Sequence, residues 1–172
     1  MVKARISFQK VDGFTPDKFW QNKALVGYQE IKGHWIFDIM IIGKFTKKDR
    51  FVAGGHMTEP PSRMTFSNVV TRESVRIAFL LTGLNKLDVQ AADISNAYLN
   101  APCRELIWIV TGPEFGRDEG FFMKVVRAWY SLKRSGSSWH AMLSQTIMDM
   151  KYTRCKTDHD VWYRPEVKLN DF

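Results

Sequence analysis

The chain alternates short apolar runs, bounded by glycine or proline, with two longer stretches of helical periodicity. The clearest run is HWIFDIMII, residues 34–42, rich in β-branched and aromatic residues between Gly33 and Gly43; it predicts a strand. KKDRFVA, residues 47–53, follows a short connection at 43–46 and ends at Gly54 and Gly55, so the two runs predict a β-hairpin. MTEPPSRMTF, residues 57–66, reads as a loop set by Pro60 and Pro61. Thr71 then offers an N-cap for a helix reaching about Lys86, with Val75, Ala78, Phe79 and Thr82 sharing one face.

LDVQAADISNAYLNA, residues 87–101, carries Asp88 and Asp93, the second expected at the end of a short strand. ELIWIV, residues 105–110, has bulky residues at successive positions and predicts a strand buried on both sides. GPEFGRDEG, residues 112–120, is a turn-rich loop, and FMKVVRAWYSL, residues 122–132, reads as a strand followed by a short helix. After a polar break at 133–138, Ser138 is placed to cap a helix whose apolar face is Trp139, Met142, Leu143, Ile147 and Met150. DVWYR, residues 160–164, is a last strand stopped by Pro165, and residues 1–26 read as a loosely structured flank. Paired strands with inserted helices predict an α+β domain and not a doubly wound sheet.

Composition agrees with a folded domain: 172 residues are 45% hydrophobic and 13% aromatic. The net charge of +7 favours a polyanionic partner, either nucleic acid or an anionic surface. Cys103 and Cys155 are far apart with no close-spaced cysteine or histidine, so neither a zinc pattern nor a disulfide framework is read; both are expected as small core fillers. The apolar stretches, such as 77–81, are far below membrane-spanning length, and an intracellular, soluble protein without membrane partners is expected. Absence of a Gly-rich phosphate loop, HExxH and GxSxG from the sequence sets aside the corresponding nucleotidase, zinc-protease and hydrolase classes.

Two places carry candidate chemistry. Asp93 lies among Ala91, Ala92, Ser95 and Ala97, which leave room around its carboxylate. Magnesium sites for phosphoryl transfer are built from one or two carboxylates plus substrate phosphates and waters. The same pattern also suits a turn former or helix cap. Lys48 and Arg50, two apart in the second hairpin strand, share a face; they read either as a solvated edge or as a phosphate clamp.

The ordered segments HWIFDI, KKDRFVAGGHMT, SVRIAFLLTGLNKLDVQAADISNAYLNAP, IWIVTGPEF, RAWYSLKRSGSSWHAML and KTDHDVWYRP make residues 27–172 resemble the reverse transcriptase of copia-type retrotransposons. The resemblance implies an RNA-directed DNA polymerase domain of a polyprotein, built as fingers and partial palm of a right-hand polymerase. It implies fingers at 27–80, a palm strand and helix at 81–102, a return through the fingers at 103–138 and a palm helix and strand at 139–172. It further implies that Asp93 is a catalytic aspartate and ligand of two Mg²⁺ ions, with the Ile94 backbone helping to hold metal. Tyr98 is implied as the steric gate against a ribose 2′-hydroxyl, and Lys48 and Arg50 as triphosphate contacts. RNA template, DNA primer, deoxynucleoside triphosphates and the rest of the polyprotein are the implied partners, in a cytoplasmic virus-like particle or the nucleus.

This sequence departs from the family pattern in several places. Arg134 stands where many relatives have a glutamine that touches the nucleotide, and it is assigned a nucleotide contact in that place. Ser131 replaces a glycine at a tight turn, which is expected to cost modest stability. Asp49, between the two cations, is expected to weaken their field. The sequence holds no Tyr-x-Asp-Asp motif, so the reading is of a domain truncated before the palm hairpin and thumb, inactive by itself. Asp158 and Asp160 are expected to serve a turn and a strand entry, and Asp88 is a poor second ligand. The alternative is a non-catalytic, basic nucleic-acid-binding remnant of a decayed retroelement.

Overall fold

A computed structural model of the chain describes residues 8–10, 26–42, 44–58, 65 and 67–164, with backbone alone at 8–10, 40–42, 44–48 and 57. In chain order the elements are β1 (Phe8–Lys10), β2 (Gln29–Glu30), β3 (Gly33–Ile42), β4 (Lys44–Ala53), α1 (Arg72–Asn85) and α2 (Ala97–Asn100). They continue with β5 (Ile107–Val110), β6 (Phe122–Val125), α3 (Ser135–Asp149), β7 (Thr153–Arg154) and β8 (Trp162–Tyr163). The mixed composition of strands and helices agrees with the α+β expectation. The chain divides into two units, Met1–Thr65 with Asn96–Trp139, and Phe66–Ser95 with His140–Phe172.

The first unit is organised by a four-stranded sheet in the order β1-β6-β5-β2, antiparallel except for the parallel β2–β5 pair. Ile107, Trp108 and Ile109 are all buried, so β5 is covered on both faces, as its unbroken bulky run predicts. The core gathers Ile31, Ala53, Ile107, Ile109, Phe115, Met123, Val125, Trp129 and Leu132. Each large aliphatic or aromatic member contributes about 1.5–3 kcal/mol by leaving water. The flank expected to be loose contains β1, which pairs with β6.

The predicted hairpin forms with a register running from Gly33 opposite Ala53 to Ile42 opposite Lys44. Its second strand starts earlier than the sequence suggests, at Lys44, and the intervening Gly43 lies outside the described residues. A lone two-stranded ribbon is marginal in water, so its attachment matters. Ala53 N–H donates to the Tyr130 carbonyl at 3.0 Å, Gly54 N–H to Lys32 at 2.8 Å, and Trp129 Nε1–H to Phe51 at 2.8 Å. The Pro-rich loop expected at 57–66 falls mostly outside the described residues.

The short helix expected after β6 is absent because its backbone groups are engaged elsewhere. Cys103 N–H bonds Val126 O at 3.0 Å, Ala128 N–H bonds Ala101 O at 2.9 Å, and Tyr130 O is taken by Ala53. Helix α3 starts at Ser135, three residues before the expected cap. Ser138 is inside it, buried, with its N–H bonded to Arg134 O at 2.9 Å. Ser135 Oγ–H instead donates to Trp129 O at 2.6 Å, fixing the helix start to the preceding turn.

In the second unit α1 has the expected cap, Thr71 Oγ1 accepting from Ser74 N–H at 3.2 Å. It ends at Lys86 in a left-handed conformation, with Leu87 N–H returning to Thr82 O at 3.0 Å. None of its residues is buried, and on the expected apolar face Val75 and Phe79 are 37% and 60% exposed, so that face is uncovered. The strand expected to end at Asp93 does not form; residues 87–94 are exposed coil with no ladder partner among the described residues. β7 and β8 form a small hairpin in which the Arg154 guanidinium lies 4.6 Å from the Trp162 ring centroid. Among the described residues no helix is long and apolar enough to cross a membrane.

Candidate functional site

The hairpin register decides which charges share a face. Lys48 is opposite Asp38 and Arg50 is opposite Ile36, so these four positions lie on one face and Asp49 lies on the other, opposite Phe37. The acid that accompanies the two cations is therefore Asp38, and not Asp49 as adjacency suggests. Asp38 Oδ1 accepts from the Ile39 N–H at 2.8 Å. Arg50 is exposed; the Lys48 side chain lies outside the described residues.

Tyr98 sits on α2, a single turn that starts from Asn96 at a left-handed φ of 53°. Ala101, at the end of this turn, is fully buried and bonds through its carbonyl to Ala128 N–H. The Tyr98 ring packs on Tyr130 with centroids 5.3 Å apart, so its direction is set by a neighbour. Arg134 precedes α3. Its N–H donates to Glu105 Oε1 at 2.8 Å and its Nη1 to Arg104 O at 3.1 Å, while its Nε is buried with no partner among the described residues. Part of the guanidinium is thus already spent on the chain entering β5.

Asp93 and Ile94 belong to the second unit, whereas Lys48, Arg50, Tyr98 and Arg134 belong to the first. Both Asp93 and Ile94 are exposed, in the coil that leads into α2. Among the described residues no group of three or more His, Cys, Asp or Glu side chains is arranged to hold a metal ion. Asp93 offers one carboxylate, a donor set too small to fix two Mg²⁺ ions.

A clasp that sequence reading missed joins the hairpin base to the 129–133 turn. Gly55 approaches so closely that a Cβ there would collide with the Ser131 carbonyl. Lys133 Nζ donates to Thr58 O, and Thr58 Oγ1–H to Gly55 O at 2.8 Å. Ser131 itself has φ 71°, the left-handed region in which an L side chain costs about 1–2 kcal/mol. This is the turn where the family resemblance implies a glycine. Ser131→Gly is expected to raise stability by about 1 kcal/mol, less the extra freedom glycine gives the unfolded chain. A higher urea midpoint at unchanged slope is the readout, and a lower midpoint sinks the argument.

In the second unit Asp158 accepts from Ser74 Oγ–H at 2.6 Å, Thr71 N–H at 2.9 Å and Asp160 N–H at 3.0 Å. The Ser74 hydroxyl first, then the two backbone N–H groups, hold its carboxyl well below the usual carboxylate range. Asp160 pairs with His140. His140 reads as isolated in the sequence, and nothing local marks a partner twenty residues on. Burial pushes the Cys103 thiol up to about 11, consistent with a core filler. Backbone N–H groups of Asp158 and Thr157 lower that of Cys155.

Comparison with known proteins adds the following. A family model described as "Reverse transcriptase (RNA-dependent DNA polymerase)" matches residues 19–169. Two relatives from Saccharomyces cerevisiae (strain ATCC 204508 / S288c), the "Truncated transposon Ty1-A Gag-Pol polyprotein" and the "Transposon Ty1-LR3 Gag-Pol polyprotein", are each 28% identical over 141 residues. The matched region is 81% of this chain, but only 12% and 8% of those two proteins. No solved structure matches the chain significantly.

Proposed function

We propose, from the premise that this chain belongs to the reverse transcriptase family as found in copia-type retrotransposons, that it supplies the nucleotide-contacting surface and one catalytic carboxylate of an RNA-directed DNA polymerase. The observation that carries the reading is the hairpin. Lys48 and Arg50 occupy one face of β4, on a ribbon fastened at its base to a buried core. Cations held in this way bind the triphosphate and offset charge that develops as the phosphoryl group is transferred.

On this reading residues 27–80 and 103–138 are the fingers, and residues 81–102 and 139–172 belong to the palm. The Tyr98 ring, held against Tyr130, fills the space a ribose 2′-hydroxyl would need and so favours deoxynucleotides. Arg134 keeps guanidinium donors beyond the one given to Arg104, and on this reading its Nη groups contact the nucleotide. Asp93, with the Ile94 backbone, would contribute one oxygen set to Mg²⁺, an ion that would supply charge neutralisation at the phosphates; by itself this set does not fix the ion. The 172 residues contain no Tyr-x-Asp-Asp motif to add further carboxylates. RNA template, DNA primer and the rest of a Gag-Pol-like polyprotein are the partners, in a virus-like particle or the nucleus.

Binding of a fluorescent deoxynucleoside triphosphate tests the reading on the chain itself. Arg50→Ala is expected to weaken binding about tenfold or more, the loss of one charge-assisted contact. Tyr98→Ala is expected to erase the preference for deoxy- over ribonucleotide. Equal affinity for both nucleotides in the unaltered protein, or binding indifferent to Arg50, overturns it. The 172-residue polypeptide alone is expected to give no primer extension, and extension abolished by Asp93→Asn would contradict that.

A further inference from the structure

We infer that Glu105 is the positioning residue for Arg134, a role that rests on the nucleotide contact proposed above for that arginine. Glu105 holds the peptide from which the guanidinium projects and so sets where the cation reaches. Arg134 is fastened at both ends. Glu105 Oε1 accepts from the Arg134 N–H at 2.8 Å, and Arg104 O accepts from Arg134 Nη1 at 3.1 Å. Backbone and side-chain head are thus gripped by two adjacent residues, all within the first unit.

The local sequence supplies no such partner. Arg134 stands immediately before α3, and its carbonyl accepts from Ser138 N–H at 2.9 Å, which makes it the N-cap residue. In a capping box the N–H of the N-cap is met by a glutamate or glutamine three residues on. Here that position is Ser137, whose hydroxyl goes instead to Arg134 O at 3.0 Å. Glu105, twenty-nine residues earlier, does the work of the absent glutamate. Its charge matters too. A cation at a helix N-terminus is disfavoured by the helix dipole and an acid there is favoured, so Glu105 offsets the cost of an arginine in this place.

Glu105 is itself firmly mounted. It precedes β5, whose Ile107, Trp108 and Ile109 are buried, and its own carbonyl accepts from Cys103 Sγ at 3.4 Å. Leu106 O, next along, accepts from Gln29 N–H at 2.8 Å. Arg134 Nε is buried with no partner among the described residues, a cost that a freely turning side chain would shed by pointing it at water. The guanidinium is therefore held by its surroundings. A long side chain ordered before its ligand arrives has less freedom left to lose on binding.

Titration of the full chain with a fluorescent deoxyadenosine triphosphate, read by anisotropy, tests this in a double-mutant cycle. Glu105→Ala is expected to weaken binding about fivefold when Arg134 is present, and to change nothing in the Arg134→Ala background. Glu105→Gln, which keeps an acceptor of the same length, is expected to bring affinity back to that of the unaltered chain. Should Glu105→Ala fail to melt cooperatively, Glu105→Asp, one methylene short, takes its place in the cycle. Equal weakening in both backgrounds marks a purely structural acid and overturns the inference. So does a Glu105→Gln chain as weak as Glu105→Ala. Affinity indifferent to Glu105→Ala also overturns it, and the proposed function stands if Arg50→Ala still weakens binding. Indifference to Arg134→Ala overturns it together with the contact proposed for Arg134. No triphosphate binding by the unaltered chain overturns both the inference and the proposed function.

Discussion

Gly55→Ala lowers the stability of the first unit by about 3 kcal/mol, the upper range for forcing extra volume into a packed site. The expectation follows from what the added carbon meets. It collides with the Ser131 carbonyl, which is backbone, and comes within 2.8 Å of the Ser131 carbonyl carbon. A flexible side chain would swing aside, but this oxygen is held by a turn already strained at Ser131. Relief requires the hairpin base to move away from the 129–133 turn, stretching the Ala53–Tyr130 bond and the Lys133–Thr58 contact. Gly83→Ala is the matched control. Nothing lies within 4 Å of its missing Cβ, and it sits inside α1, where alanine gains about 1 kcal/mol over glycine. Urea titration followed by tryptophan fluorescence and circular dichroism reads both. A Gly55→Ala protein as stable as the parent removes the clasp from the account.

Asp158→Ala produces the largest loss in the second unit. Three donors converge on one carboxylate: Ser74 Oγ–H, Thr71 N–H and Asp160 N–H. The residue therefore ties the start of α1 to the turn before β8, and its removal leaves the N–H of the helix cap without its acceptor. The sign of the pH dependence follows from the direction of the shift. Because the folded state holds the carboxyl below its ordinary range, the carboxylate's contribution is complete above that range and is lost as pH falls through and below it. Asp158→Ala is expected to lower the thermal midpoint at neutral pH and to flatten the decline between about pH 5 and pH 3, where ordinary aspartates titrate. Asp158→Asn, which keeps an acceptor but no charge, falls between. An unchanged acid limb in Asp158→Ala would mean that other carboxylates carry it.

Local features were legible because their causes are local. Thr71 and the periodic run behind it placed α1 within a residue or two, since a cap and a helical period are both written within a few positions. The hairpin and the doubly buried β5 were legible for the same reason. What failed depends on distant partners. β1 looked like loose flank because its strand character comes from β6, more than a hundred residues on. Residues 87–93 have strand-like composition but no neighbour to pair with among the described residues. The start of α3 was misplaced because the Ser135 hydroxyl bonds the Trp129 carbonyl, a contact set by the preceding turn that the spacing of serines does not show.

The candidate site divides in the same way. Which residues to consider came from the order of motifs, as the composition around Asp93 is equally that of a turn. Their surroundings did not follow from that order. Asp38 as the acid facing Lys48, and Tyr130 as the support for Tyr98, are set by register and by chain segments far apart. Arg134 is the instructive case. It was read only as a substitute for glutamine, yet its N–H and Nη1 already hold Glu105 and Arg104, so it also anchors the chain it is part of.

Helix α1 is fastened at its two ends and bare between them. Thr71 with Asp158 closes one end and the left-handed Lys86 the other, while none of its fourteen residues is buried. Its amide protons are therefore protected chiefly by the fastenings, and they exchange with solvent well before those of β5, where opening requires the core to part. The same bareness governs colloidal behaviour. Ile77, Leu80, Leu81 and Leu84 present greasy surface to water, so crowding, salt and concentration act on this protein through the helix as well as through its strands.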